Sequence, residues 1–115
     1  MNNNLLNDLS NTVNTHAAPL CRLTEVKVDK LNSAGKILSK ICEDNMVSNV
    51  LVFTNLHDNS VTVSLCCEDF VVENEFLADF ADVVKMFDSM SIDYISKSEV
   101  RINFVLEKAL VKVSG

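Results

Sequence analysis

The sequence predicts an α+β fold: an antiparallel sheet of four or five strands with two helices on one face. Three observations predict it. Along residues 20–106 the hydrophobic period alternates between about two and about 3.6 residues. It runs strand, helix, strand, strand, helix, strand, the split β-α-β, ferredoxin-like order β-α-β-β-α-β. Apolar residues make up 48% of the chain and charged residues 23%, an ordinary globular balance. At 115 residues there is room for one domain, placed at residues 19–115 behind an N-terminal helical or flexible arm, residues 1–18.

The arm is rich in Asn and Thr, with Leu5, Leu6, Leu9 and Val13 at helical spacing. Asn and Thr are poor helix formers, so this segment needs a neighbour to order against. Pro19 closes it. In residues 20–28, Leu20, Thr24, Val26 and Val28 alternate with Cys21, Leu23, Glu25 and Lys27; Arg22 departs from the pattern. This reads as a half-buried strand. Asp29 then serves as N-cap of a helix. Its buried face is Leu31, Ala34, Leu38, Ile41 and Cys42, and Lys30, Lys36 and Lys40 look outward. Gly35 inside it costs about 1 kcal/mol relative to Ala, which points to close packing or to simple tolerance. Asn45 ends the helix.

Val50-Leu51-Val52-Phe53 is a strand apolar on both faces. Residues 55–60 carry turn chemistry, and residues 61–67 alternate as the antiparallel return strand. The strongest helical pattern spans about residues 74–89, with Phe76, Leu77, Phe80, Val83, Val84 and Phe87 on one face. Glu73 and Glu75 near its start and Lys85 near its end match the helix dipole. A short extended piece follows at residues 92–95. Val100, Ile102, Phe104 and Leu106 then alternate with Arg101, Asn103 and Val105 as the last strand. Residues 109–113 extend that strand, turn back as another, or form a short helix.

A net charge of −6 opposes non-specific attraction to DNA, RNA or anionic lipid. It serves solubility and favours a basic protein partner. The first basic residue is Arg22, so no charged leader is expected, and no apolar run approaches a membrane span. Cys21, Cys42, Cys66 and Cys67 have neither disulfide-scaffold nor zinc spacing. A cytoplasmic protein with reduced thiols is expected.

Chemistry is sparse. His16 and His57 fall in expected loops, without CxxC, HxxxH or HExxH spacing, so no metal is expected. Gly35 and Gly115 are the only glycines, so no glycine loop cradles a phosphate and no cofactor is expected. His57 facing Cys66 or Cys67 across a hairpin is the one nucleophilic pair to consider, yet no oxyanion loop accompanies it. A non-enzyme is expected. Glu75, Asp79 and Asp82 share one helix face about a turn apart. This candidate acidic stripe meets a basic surface or is a solvated face with dipole-matched ends. The expected exposed positions of the central strands (Cys21, Leu23, Glu25, Lys27, Thr62, Ser64, Cys66) include no aromatic, which disfavours an RNA-reading sheet.

The surplus apolar surface is the better clue. With helices on one sheet face, the outward members of Val50, Leu51, Val52 and Phe53, joined by Val105, need a second cover. Leu5, Leu6 and Leu9 of the arm, a second copy, or another protein each supply one. These five residues form the candidate partner interface.

Lys85-Met86-Phe87-Asp88, Met90-Ser91, Ile95-Ser96-Lys97, Val100 and Ile102 resemble the end of the C-terminal double-wing domain of phage middle-gene transcription activators. That likeness implies a DNA-binding or transcription-associated domain, toward which Lys97, Arg101 and Lys112 near the last strands would point. The family presents a basic concave face to DNA, whereas this chain is acidic. The expectation is therefore a small acidic, non-enzymatic protein-binding module: a phage or mobile-element type regulator, inhibitor or immunity protein, working with a protein partner or as a homodimer.

Overall fold

In the computed structural model, which describes residues 6, 8–44, 47–68 and 80–113, a helix takes over much of the first expected strand. Strand β1 is only Cys21–Leu23, and helix α2 runs Glu25–Asp44. The Thr24 carbonyl accepts the N–H groups of Lys27 and Val28 at 3.0 and 3.1 Å. That is the N-cap role expected of Asp29. Glu25 sits in the first turn, where its charge suits the dipole. Val26 is 69% exposed on this helix; the alternation through Thr24, Val26 and Val28 reflected no sheet face.

The fold is α+β with antiparallel sheets. Strands β2 (Val47–Asn55), β3 (Ser60–Glu68), β4 (Ser89–Tyr94) and β5 (Glu99–Leu106) form one sheet in the order β2-β3-β5-β4. Strand β6 (Leu110–Lys112) turns back and pairs with β1 in a separate two-stranded sheet. The central strands are therefore β3 and β5, and residues 20–28 do not occupy the sheet centre that the ferredoxin-like order assigns them. The physical reason lies in Thr24, whose N–H donates to the Ala109 carbonyl while its own carbonyl starts α2.

Helix α1, Leu9–Ala17, is ordered by its neighbours as its composition requires. Leu9 and Val13 have no exposed surface and Ala17 almost none. The Asn14 side chain accepts the Leu23 N–H at 2.7 Å, so a poor helix former anchors β1. Leu31, Ala34, Leu38 and Ile41 of α2 are fully buried in the same cluster. Gly35 is explained by contact: a β-carbon there would meet the Leu6 backbone carbonyl.

The inner row of the sheet completes the core. Leu65 and Ile102 pair across β3 and β5, as do Val63 and Phe104, and all four are fully buried. Residues 80–84 are helical and the chain then tightens, with Met86 N–H donating to Val83 and Phe87 N–H to Val84. Such short-range bonds satisfy carbonyls that a helix end leaves free. The helix therefore stops at residue 84, short of the expected 89, because residues 89–94 are drawn into the sheet as β4. Phe80 and Phe87 pack against Phe104 with ring centroids 5.7 and 5.4 Å away. The expected positions Phe76 and Leu77 lie outside the described residues. Among the described residues no helix is long and apolar enough to cross a membrane.

Candidate functional site: the outer face and free edge of the sheet

Strand period assigns alternate residues to opposite faces. Pairing across β2, β3, β5 and β4 gives two outer rows: Leu51, Ser64, Asn103, Ser91, and Phe53, Thr62, Val105, Ser89. A third row is Asn49, Cys66, Arg101, Asp93. The five candidate interface residues therefore divide. Val50 is buried and Val52 partly buried against the core, while Leu51, Phe53 and Val105 lie on the outer face. Phe53 is 49% exposed. It and Val105 flank Thr62, about 10 Å apart at the usual strand spacing. A cleft of about 210 Å³ adjoins Val105, lined also by Asp58, Ser60, Glu107 and Lys108.

The turn beneath this patch is fixed by its own side chains. Asn55 Oδ1 accepts the His57 N–H and Asp58 Oδ1 accepts the Ser60 N–H, each at 3.0 Å. Asn59 takes φ 62°, a left-handed conformation Asn tolerates. Its carbonyl accepts the Ala109 and Leu110 N–H groups, tying the turn to the small sheet.

Polar residues occupy the middle of the outer face. Ser64, almost fully buried, donates its hydroxyl to Asn103 Oδ1 at 2.6 Å. Asn103 Nδ2 donates onward to Ser91 Oγ at 3.3 Å and to Asp93 Oδ2 at 2.9 Å. This network spans three strands and holds β4 against β5. Arg101 Nε is buried without a hydrogen-bond partner among the described residues.

Strand β4 is the feature least visible in the sequence. Every residue of it is exposed, and among the described residues it lies at the edge of the sheet. Met90, Ile92 and Tyr94 oppose the buried Phe104, Ile102 and Val100, so they lie on the inner side yet stand 38, 45 and 82% exposed. The signal was present as an apolar–polar alternation, Met90-Ser91-Ile92-Asp93-Tyr94, of which only residues 92–95 were expected to be extended, directly after a helix expected to reach residue 89.

Other candidates are not brought together. His57 sits in the turn at one end of β3, and Cys66 lies six residues beyond Ser60, about 20 Å away at the usual rise per residue. Cys66 faces outward and Cys67 inward, as vicinal strand residues must. Burial, with the Cys66 thiol beside it, pushes the Cys67 thiol up to about 11, which suppresses the thiolate a nucleophile needs. All four cysteines are buried. Among the described residues no three His, Cys, Asp or Glu side chains gather as metal ligands. Of the acidic stripe, Asp82 is exposed and 4.0 Å from Lys85; Glu75 and Asp79 lie outside the described residues. Lys97 lies in the β4–β5 turn, Arg101 opposite Asp93, and Lys112 in the small sheet. Comparison with protein-family models, curated proteins and solved structures finds no match.

Proposed function

We propose that this chain is a small acidic protein-binding module, a regulator, inhibitor or immunity protein that acts by contact rather than by catalysis. The observation that carries this reading is the outer-face patch: half-exposed Phe53 set beside Leu51 and across Thr62 from Val105. Aromatic side chains with apolar neighbours inside a polar surround are the usual anchors of protein interfaces. The polar surround here is Thr62, Asn103 and Ser91. Asp58 and Glu107 beside Val105 outnumber Lys108, and the whole chain carries −6. The partner suited to this surface is basic.

The test is affinity capture from cell lysate with the wild-type chain and Phe53→Asp, both folded by circular dichroism. The expected result is a stoichiometric basic protein retained by the wild type and lost with the variant. Equal retention by both would remove the outer face from the account.

A further inference from the structure

We propose that the free edge of β4 binds the β4 edge of a second copy of this chain, joining two four-stranded sheets into one of eight strands.

The Ile95 N–H donates to the Glu99 carbonyl, which sets the alternation along the β4–β5 pair. Asp93 and Ser91 direct their backbone groups toward β5, so Met90, Ile92 and Tyr94 direct theirs away from the sheet. A row of outward N–H and C=O groups at every second residue is a ready template for another strand. The same three residues carry the exposed apolar side chains, so one added strand satisfies the backbone and covers Met90, Ile92 and Tyr94 together.

The β4 edge is also complementary to itself. A two-fold axis through Ile92 gives an antiparallel register that matches outward groups to outward groups with the faces preserved. In that register Ile92 meets its own copy, and Met90 meets Tyr94 of the other chain, twice by symmetry. Thioether against ring is a favourable contact. On the opposite face Ser91 meets Asp93. Ser91 Oγ already accepts from Asn103 Nδ2, which leaves its O–H to donate to the carboxylate across the axis. Asp93, the one charged residue of β4, is thus never opposite its own copy. Shifting the axis by one residue to Asp93 would place two carboxylates face to face.

The contact is short, so dissociation in the micromolar range is expected. Two chains of −6 each repel, and added salt therefore strengthens the dimer by screening. A basic heterologous partner drawn by the net charge of the chain would respond in the opposite sense.

Analytical ultracentrifugation of the full chain tests this. Between about 2 and 200 µM the mass should rise from 12.8 kDa to twice that value, at lower concentration in high salt. Ile92→Pro removes an N–H that points away from β5, a placement where an edge strand accepts proline, and should stay monomeric throughout with an unchanged circular dichroism spectrum. Ile92→Lys should do the same. Ile92→Cys should oxidise to a reducible dimer, because hydrogen-bonded partners lie about 5.5 Å apart at Cα, within disulfide reach. A wild type that stays monomeric at 200 µM, a folded Ile92→Pro that still dimerises, or an Ile92→Cys that does not cross-link would each overturn the proposal. A monomer whose β4 amides become protected only when a separate extended peptide is added would assign the edge to that peptide instead.

Discussion

The Leu6 carbonyl oxygen occupies the space where a side chain at Gly35 would begin. Two stretches of backbone, one before α1 and one in the middle of α2, approach as closely as they do because residue 35 has no β-carbon. Leu9 Cβ, 3.5 Å from the same point, closes the other side.

Gly35→Ala therefore reverses the usual sign. On an open helix surface the change stabilises by about 1 kcal/mol. Here the added methyl meets main chain that cannot rotate away, and overpacking of this kind costs about 1–3 kcal/mol. Urea unfolding should show a lower midpoint for Gly35→Ala at an unchanged slope; a higher midpoint would contradict the contact.

Asn103 connects three strands through one side chain. Asn103→Ala leaves the Ser64 hydroxyl almost fully buried with no acceptor, a loss of about 1–3 kcal/mol. Ser64→Ala removes the donor and strands only the half-buried Asn103 oxygen, so it should cost less. Amide exchange in β4 should accelerate in Asn103→Ala, since its bonds to Ser91 and Asp93 vanish. Equal costs for the two variants would argue against the network.

Phe104 has no exposed surface and sits between Phe80 and Phe87. Phe104→Ala should cost about 3–5 kcal/mol, and Phe104→Leu markedly less. Thermal unfolding in the two variants measures the difference, and near-equal melting temperatures would contradict a packed aromatic cluster.

Cys67 makes stability depend on alkaline pH. Its thiol rises from 9.0 to about 11 in the folded chain. The native state thus keeps a proton that the unfolded chain releases first. This contribution is complete below about pH 9 and is lost as the pH climbs through 11, on the order of 3 kcal/mol in all. Unfolding free energies measured from pH 8 to 11 should fall more steeply for wild type than for Cys67→Ala. Parallel profiles would refute the assignment.

Much of this was legible in the sequence. The alternation through Val61, Val63 and Leu65, and through Val100, Ile102, Phe104 and Leu106, marks strands whose inner rows are buried. The α2 positions Leu31, Ala34, Leu38 and Ile41 likewise match the core. What misled was short-range pattern overridden by long-range pairing. Val26 and Val28 alternate with Glu25 and Lys27, yet Thr24 is held by Ala109, eighty-five residues away, and α2 begins there. Ser89–Tyr94 continues from a helical pattern, but partners on β5 settle its state. The outer-face members Leu51, Phe53 and Val105 were visible as a surplus of apolar positions. The edge was not, because only strand order shows which strand has a neighbour on one side.

The proposed role, contact with a partner through the four-stranded sheet, is open to a paired capture experiment. Wild type, Phe53→Asp and Ile92→Pro are immobilised at equal density and exposed to the same lysate. The account predicts that a stoichiometric basic partner stays with the wild type and with Ile92→Pro, and falls at least tenfold with Phe53→Asp, the equivalent of about 1.4 kcal/mol. Retention of that partner by Phe53→Asp at the wild-type level would contradict it.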